Sequence, residues 1–236
     1  KKKETDNPND GGVGYGSNKE HSDLSNTYLA VEALALSKKI IEDGKHGDQP
    51  DLDWDAAATF VSRCQNLEET NDQEWASNDP KNKGGFSYSP FESKAGDEKT
   101  PEGRTALRSY GSMSYAGLLS FIYAKLSADD PRVAAVKEWL GKNYTVEENP
   151  GMGAQGLYYY YQTMAKALTA ANVPRDQAHA VVDALEHRMT SELATKADLE
   201  REIAEVKADI AATRADLERE IAGLRAATHA DLQRET

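Results

Sequence analysis

Gly84-Gly85-Phe86-Ser87-Tyr88-Ser89-Pro90 and, after a polar stretch, Arg104-Thr105-Ala106-Leu107-Arg108-Ser109-Tyr110-Gly111-Ser112-Met113-Ser114-Tyr115 together decide how this chain is read. The paired glycines followed by an aromatic residue mark a turn. The second part is built from small and aromatic residues and predicts a helix over roughly 104–126. Copies of this turn-plus-helix unit lie on both sides. Gly11-Gly12-Val13-Gly14-Tyr15 precedes a segment in which Ser25-Asn26-Thr27-Tyr28 aligns with Ser112-Met113-Ser114-Tyr115, 87 residues later. A third copy falls near Tyr158, 46 residues further on. Two-helix units of this length read as helical-hairpin repeats.

Outward from that centre, Asp23 or Ser22 can cap a first helix with Leu24, Tyr28, Val31 and Ala35 at helical spacing. Leu29, Leu36 and Ile40 give it a second apolar side, so both faces are expected to be covered. Asp51 or Asp53 can cap a second helix carrying Trp54, Ala57, Phe60, Val61 and Cys64. Asp129-Asp130-Pro131 caps a fourth, with proline at its first position. A fifth begins near Gly156 and carries Tyr158–Tyr161. Residues 1–22 read as a polar arm. The polar segment Asn66–Gly103 is longer than most loops of compact domains, and such loops often bind.

Beyond Pro174 the composition changes. Ala197–Arg214 and Ala215–Leu232 form an 18-residue repeat, each copy opening Ala-Asp-Leu-Glu-Arg-Glu-Ile-Ala. The apolar ladder Leu199, Ile203, Val206, Ile210, then Leu217, Ile221, Leu224 is a heptad seam with one stutter. The flanking positions pair Glu202 with Lys207, Asp209 with Arg214, and Glu220 with Arg225 when copies run parallel. An antiparallel pairing sets like charges together. The expectation is self-association through residues 193–232 as a parallel dimer or trimer.

Composition narrows the function classes. Net charge is −12, which disfavours generic binding to nucleic-acid backbones. Mean hydropathy is −0.73, low for a single packed globule, so part of the length is expected to be extended or solvated. No apolar run reaches the roughly 18–20 residues of a membrane span. The single cysteine, Cys64, excludes an internal disulfide framework and a cysteine-rich zinc site. The expected setting is the bacterial cytoplasm, or the periplasm if an upstream signal peptide has been lost.

The Gly-Gly-aromatic-x-Tyr turns, the Gln65 and Trp75 region and Arg104–Tyr115 resemble the prenyltransferase/squalene-cyclase repeat family over residues 11–172. In that family helix pairs close into an α/α toroid around an aromatic-lined cavity. Five helices are too few for the full ring of six pairs, so the resemblance implies a piece of a toroid. Asn172–Ala178 through Leu193–Glu200 resembles the bacterial coiled-coil family related to mitochondrial calcium-uniporter regulators. That family usually carries a membrane anchor after its stalk, whereas Thr236 ends the present chain in polar sequence. The expected fold is therefore all-α: a polar arm (1–22), a partial α/α toroid (23–172) and a long coiled-coil helix (173–236).

Chemistry is less well marked. Cyclases that start by protonation use an Asp-x-Asp-Asp motif, and Asp51-Leu52-Asp53-Trp54-Asp55 and Asp129-Asp130 do not match it. Both precede helices, where acids cap free N–H groups. Zinc prenyltransferases hold their metal with Asp, Cys and His. Cys64 with His21 or His46 lacks that spacing, so no metal and no cofactor are expected. Tyr110, Tyr115, Phe121, Tyr158 and Tyr161 are candidate lining residues of an isoprenoid pocket; ordinary interhelical packing is the alternative. Four consecutive tyrosines cannot share one helix face, so at most two enter any one pocket. The expected function is a non-catalytic interaction or scaffold protein with a protein partner. The alternative is a terpenoid-cyclase-like or prenyltransferase-like enzyme that binds an isoprenoid.

Overall fold

The computed structural model describes residues 7–16, 21–43, 51–100, 103–171 and 196–234. The chain divides into two units, Lys1–Leu185 and Glu186–Thr236. Among the described residues there are six helices and two small two-stranded sheets.

In the first unit, β1 (Val13–Gly14) pairs antiparallel with β2 (Ser22–Asp23), so part of the N-terminal segment is built into the head. Helix α1 (Leu24–Asp43) follows directly. Its cap is Asp23, whose carboxylate accepts the Asn26 N–H at 2.8 Å. Helix α2 (Trp54–Ser62) is capped by Asp53. A long connection then leads through β3 (Asp97–Lys99) and β4 (Thr105–Leu107), another antiparallel pair. Helix α3 (Gly111–Tyr123) is buried from Gly111 to Phe121. Helix α4 (Pro131–Asn143) takes its cap from Asp130 and has Pro131 in its first turn. Helix α5 (Leu157–Ala170) starts from Gly156 in the left-handed conformation.

α3 is the centre of this unit, packed against α1, α5, α4 and α2. Small residues permit the close approach. A Cβ on Gly117 would stand 2.6 Å from the Phe86 ring, and one on Gly111 would stand 2.6 Å from Pro150. Side chains of α1 and α5 also meet: Glu32 pairs with Lys166 at 2.7 Å and takes a hydrogen bond from Tyr123 of α3 at 3.0 Å. Lost hydration is the largest single effect on the Lys166 ammonium there, yet its interactions with Glu32 and Tyr28 together outweigh it and raise its pKa.

The repeat is written in hydrogen bonds. The Thr27 hydroxyl accepts the Val13 N–H at 2.9 Å and donates to the Asp23 carbonyl at 2.7 Å. The Ser114 hydroxyl accepts the Phe86 N–H at 3.1 Å and donates to the Tyr110 carbonyl at 2.8 Å. Before each turn stands a buried asparagine. Asn9 Oδ1 accepts the Ser22 N–H at 3.0 Å, and Asn82 Oδ1 accepts the Ser109 N–H at 2.9 Å. Asn149 precedes the third turn and holds the N terminus of α3 through the Ser112 N–H at 2.9 Å. The motif Asn-x-Gly thus recurs at 9, 82 and 149.

Three expectations change. The helix expected over 104–126 begins only at Gly111, because Thr105–Leu107 is a strand and Asn82 holds Ser109 outside the helix. Leu29 and Leu36 of α1 are exposed rather than covered, since α3 takes the other side; the Ile40 side chain lies outside the described residues. The connection from Asn66 to Gly103 is polar yet pinned to the interior at several points, with Asn66, Asn71, Asn82 and Phe86 buried between exposed stretches. Asn66 is fully buried, donates to the Leu107 carbonyl and the Ser109 hydroxyl, and accepts the Ser77 N–H. Buried amides join apolar side chains such as Leu67 and Phe86 here, and Asn66, Asn71 and Asn82 all find partners, whereas the buried Thr70 and Thr100 hydroxyls do not.

In the second unit the described residues form one 39-residue helix, α6 (Lys196–Arg234), about 58 Å long at 1.5 Å per residue.

Candidate functional site

Two of the glycine turns converge on a surface groove of about 690 Å³. One wall carries Tyr15, His21, Ser22 and Asp23 from the first repeat; the other carries Tyr88, Ser89, Phe91, Glu92 and Lys94 from the second. Tyr15 and Tyr88 occupy the same place in the two Gly-Gly-x-x-Tyr turns, with Val13 standing where Phe86 does. The Tyr88 carbonyl accepts the Leu24 N–H at 2.8 Å, which ties the second wall to the start of α1. The Ser89 hydroxyl accepts the N–H groups of Phe91 and Glu92, each at 3.2 Å, and so shapes the turn that carries both side chains.

The rim is aromatic and charged. Tyr15 is 74% exposed and Phe91 59%, unusual for large rings on neighbouring loops. The Lys94 ammonium lies 4.5 Å from the centre of the Tyr88 ring and 2.7 Å from the Glu92 carboxylate. Burial, and then the nearby Asp23 and Tyr15 charges, push the Tyr88 phenol well above its ordinary pKa. The neutral phenol keeps an electron-rich ring, over which the Lys94 ammonium sits. Ser22 spends its hydroxyl on the Asn9 carbonyl. The site offers ring faces and the exposed Glu92 carboxylate, the chemistry of binding a cationic group; Asp23 is buried and committed to capping α1.

The other sequence candidates lie elsewhere. Tyr110, Tyr115, Phe121 and Tyr161 are buried in the head. Phe121 stacks edge-on against Phe86 at 5.7 Å, and Tyr115 meets Tyr160 at 5.6 Å. The Tyr161 hydroxyl donates to the Val146 carbonyl at 2.6 Å. Burial pushes the Tyr110 and Tyr115 phenols well up and holds Tyr160 at about 12. Tyr158 is half-exposed at the start of α5 and touches Tyr161. None of the five lines the groove. Asp53 and Asp130 serve as caps. Cys64 is buried, with its thiol pKa pushed up by burial. Among the described residues no three His, Cys, Asp or Glu side chains gather as a metal site.

On α6 the seam residues Ile203, Val206, Ile210, Leu217 and Ile221 are all exposed, from 45% for Ile203 to 62% for Ile210. The side chains of Leu199 and Leu224 lie outside the described residues. No helix among the described residues is long and apolar enough to cross a membrane.

The groove was only partly legible in the sequence. The Asn66–Gly103 connection stood out by its length, but the contribution of Tyr15 and of His21, Ser22 and Asp23 did not. The signal was the repetition of the turn itself, which places its two tyrosines together. Searches of protein-family models, curated proteins and solved structures find no match for this chain.

Proposed function

We propose that this is a non-catalytic interaction protein: a helical-repeat head, of the partial α/α-toroid kind, on a stalk that self-associates as a parallel coiled coil. The head binds a protein partner, and the stalk multiplies the copies on offer. The observation that carries this reading is the α6 seam. Five large apolar side chains stand exposed on one 39-residue helix, and a lone helix gains nothing from such a stripe. A second copy covers it. The Glu202–Lys207 and Asp209–Arg214 pairings favour a parallel partner. Individual exposed pairs contribute only about 0.3–0.5 kcal/mol, so they select orientation while burial of the seam supplies the affinity. The repeated turn and hydroxyl bonds support reading the head as a helical-repeat module. Asp53 and Asp130 acting as caps supports a binding role over protonation chemistry.

Sedimentation equilibrium of the whole chain tests the proposal. Expected is a dimer or trimer that becomes monomeric in an Ile203→Glu, Ile210→Glu variant. A native chain that stays monomeric at high concentration overturns it.

A further inference from the structure

We infer that the groove between the first two repeats recognises a lysine-bearing segment of a partner protein, its ammonium group displacing Lys94 from the face of Tyr88. This rests on the head being a binding module. Lys94 shows what the groove accepts: its ammonium already sits 4.5 Å from the Tyr88 ring centre and 2.7 Å from Glu92. That lysine is itself half-exposed, held by a short local contact that an incoming lysine can exchange at little cost. Room for the rest of a peptide is present in the 690 Å³ of the groove. Two further rings, Tyr15 and Phe91, stand exposed at its rim. Ring faces and the exposed Glu92 carboxylate together suit a cation over an anion or a purely apolar ligand. The net charge of −12 draws a basic segment toward the head by long-range attraction.

The test uses the whole chain and a fluorescently labelled lysine–alanine peptide at physiological salt, followed by anisotropy. Its analogues carry glutamine or glutamate in place of lysine. Expected is binding of the lysine peptide and a loss of about two- to fivefold in affinity in each of Tyr15→Ala and Phe91→Ala. Both rings are exposed, so these variants leave the core intact. Lys94→Gln removes the internal competitor and is expected to tighten binding several-fold. Lys142→Gln, which makes the same charge change on α4 where Lys142 pairs with Glu138, is expected to do so much less. The inference is overturned if the native chain does not prefer the lysine peptide to the glutamine analogue. It is equally overturned if Tyr15→Ala and Phe91→Ala bind like the native chain, or if Lys142→Gln matches Lys94→Gln. Peptide binding reads the head and sedimentation reads the stalk, so failure of this inference is distinguishable from failure of the self-association claim.

Discussion

At Gly84 the backbone has φ +91°, and a Cβ there would lie 2.2 Å from the Ala135 carbonyl oxygen of α4. Gly11 repeats the arrangement, with φ +87° and the Ala56 carbonyl of α2 at 2.0 Å. Each glycine lets a turn press against the neighbouring helix, where a side chain would meet backbone that cannot yield. Gly96 also has positive φ, +82°, but nothing lies near its missing Cβ. The two substitutions therefore separate strain from clash. Gly96→Ala is expected to cost about 1 kcal/mol, from backbone strain alone. Gly84→Ala adds overpacking and is expected to cost about 3 kcal/mol or more. Urea unfolding of the two variants checks this, and equal losses contradict the close-approach account.

At the scale of the elements, the N terminus of α4 shows how helices are fastened to one another. The Asp130 carboxylate accepts the Arg132 N–H at 3.0 Å and pairs with its guanidinium at 2.8 Å. Arg132 also donates to the Ser62 hydroxyl of α2 at 3.1 Å, and its carbonyl accepts from Gln65 at 2.9 Å. The hydrogen bond from Arg132 holds the Asp130 pKa below the usual carboxylate value, outweighing its partial burial. A depressed pKa means the folded state is favoured above the unfolded value, about 3.9, and that the benefit is lost as pH falls through the folded value. Asp130→Ala is thus expected to destabilise by about 1 kcal/mol at neutral pH. Relative to the native chain, that deficit should disappear under strongly acidic conditions. Thermal melts across pH check it, and a deficit independent of pH contradicts the role given to the charge.

The same elements show what the sequence discloses. Helix identity was readable from spacing, because Leu24, Tyr28 and Val31 or Val133, Val136 and Trp139 fall at helical intervals and are buried. Caps were readable because Asp before an apolar run has a local cause. The Asn66–Gly103 connection was not, since its order depends on Asn66, Asn82 and Gln65 reaching partners far along the chain. No local pattern announces a buried amide. The start of α3 moved for the same reason: Asn82 fixes Ser109 from 27 residues away. The groove combines one segment that length made conspicuous with another that is close only in space.

At the scale of the whole molecule, the proposed function requires stalks that meet in parallel. Cysteine cross-linking through Ile203→Cys measures this directly. Cys64 is fully buried with a raised pKa, so background reaction is low. In a parallel coiled coil the residues at 203 face each other across the seam, whereas in an antiparallel one they lie near opposite ends. Mild oxidation of the Ile203→Cys chain is expected to convert it to a disulfide-linked dimer reversed by reductant. A chain that remains monomeric on a non-reducing gel, or that cross-links only to a cysteine placed at the far end of α6, contradicts the parallel arrangement.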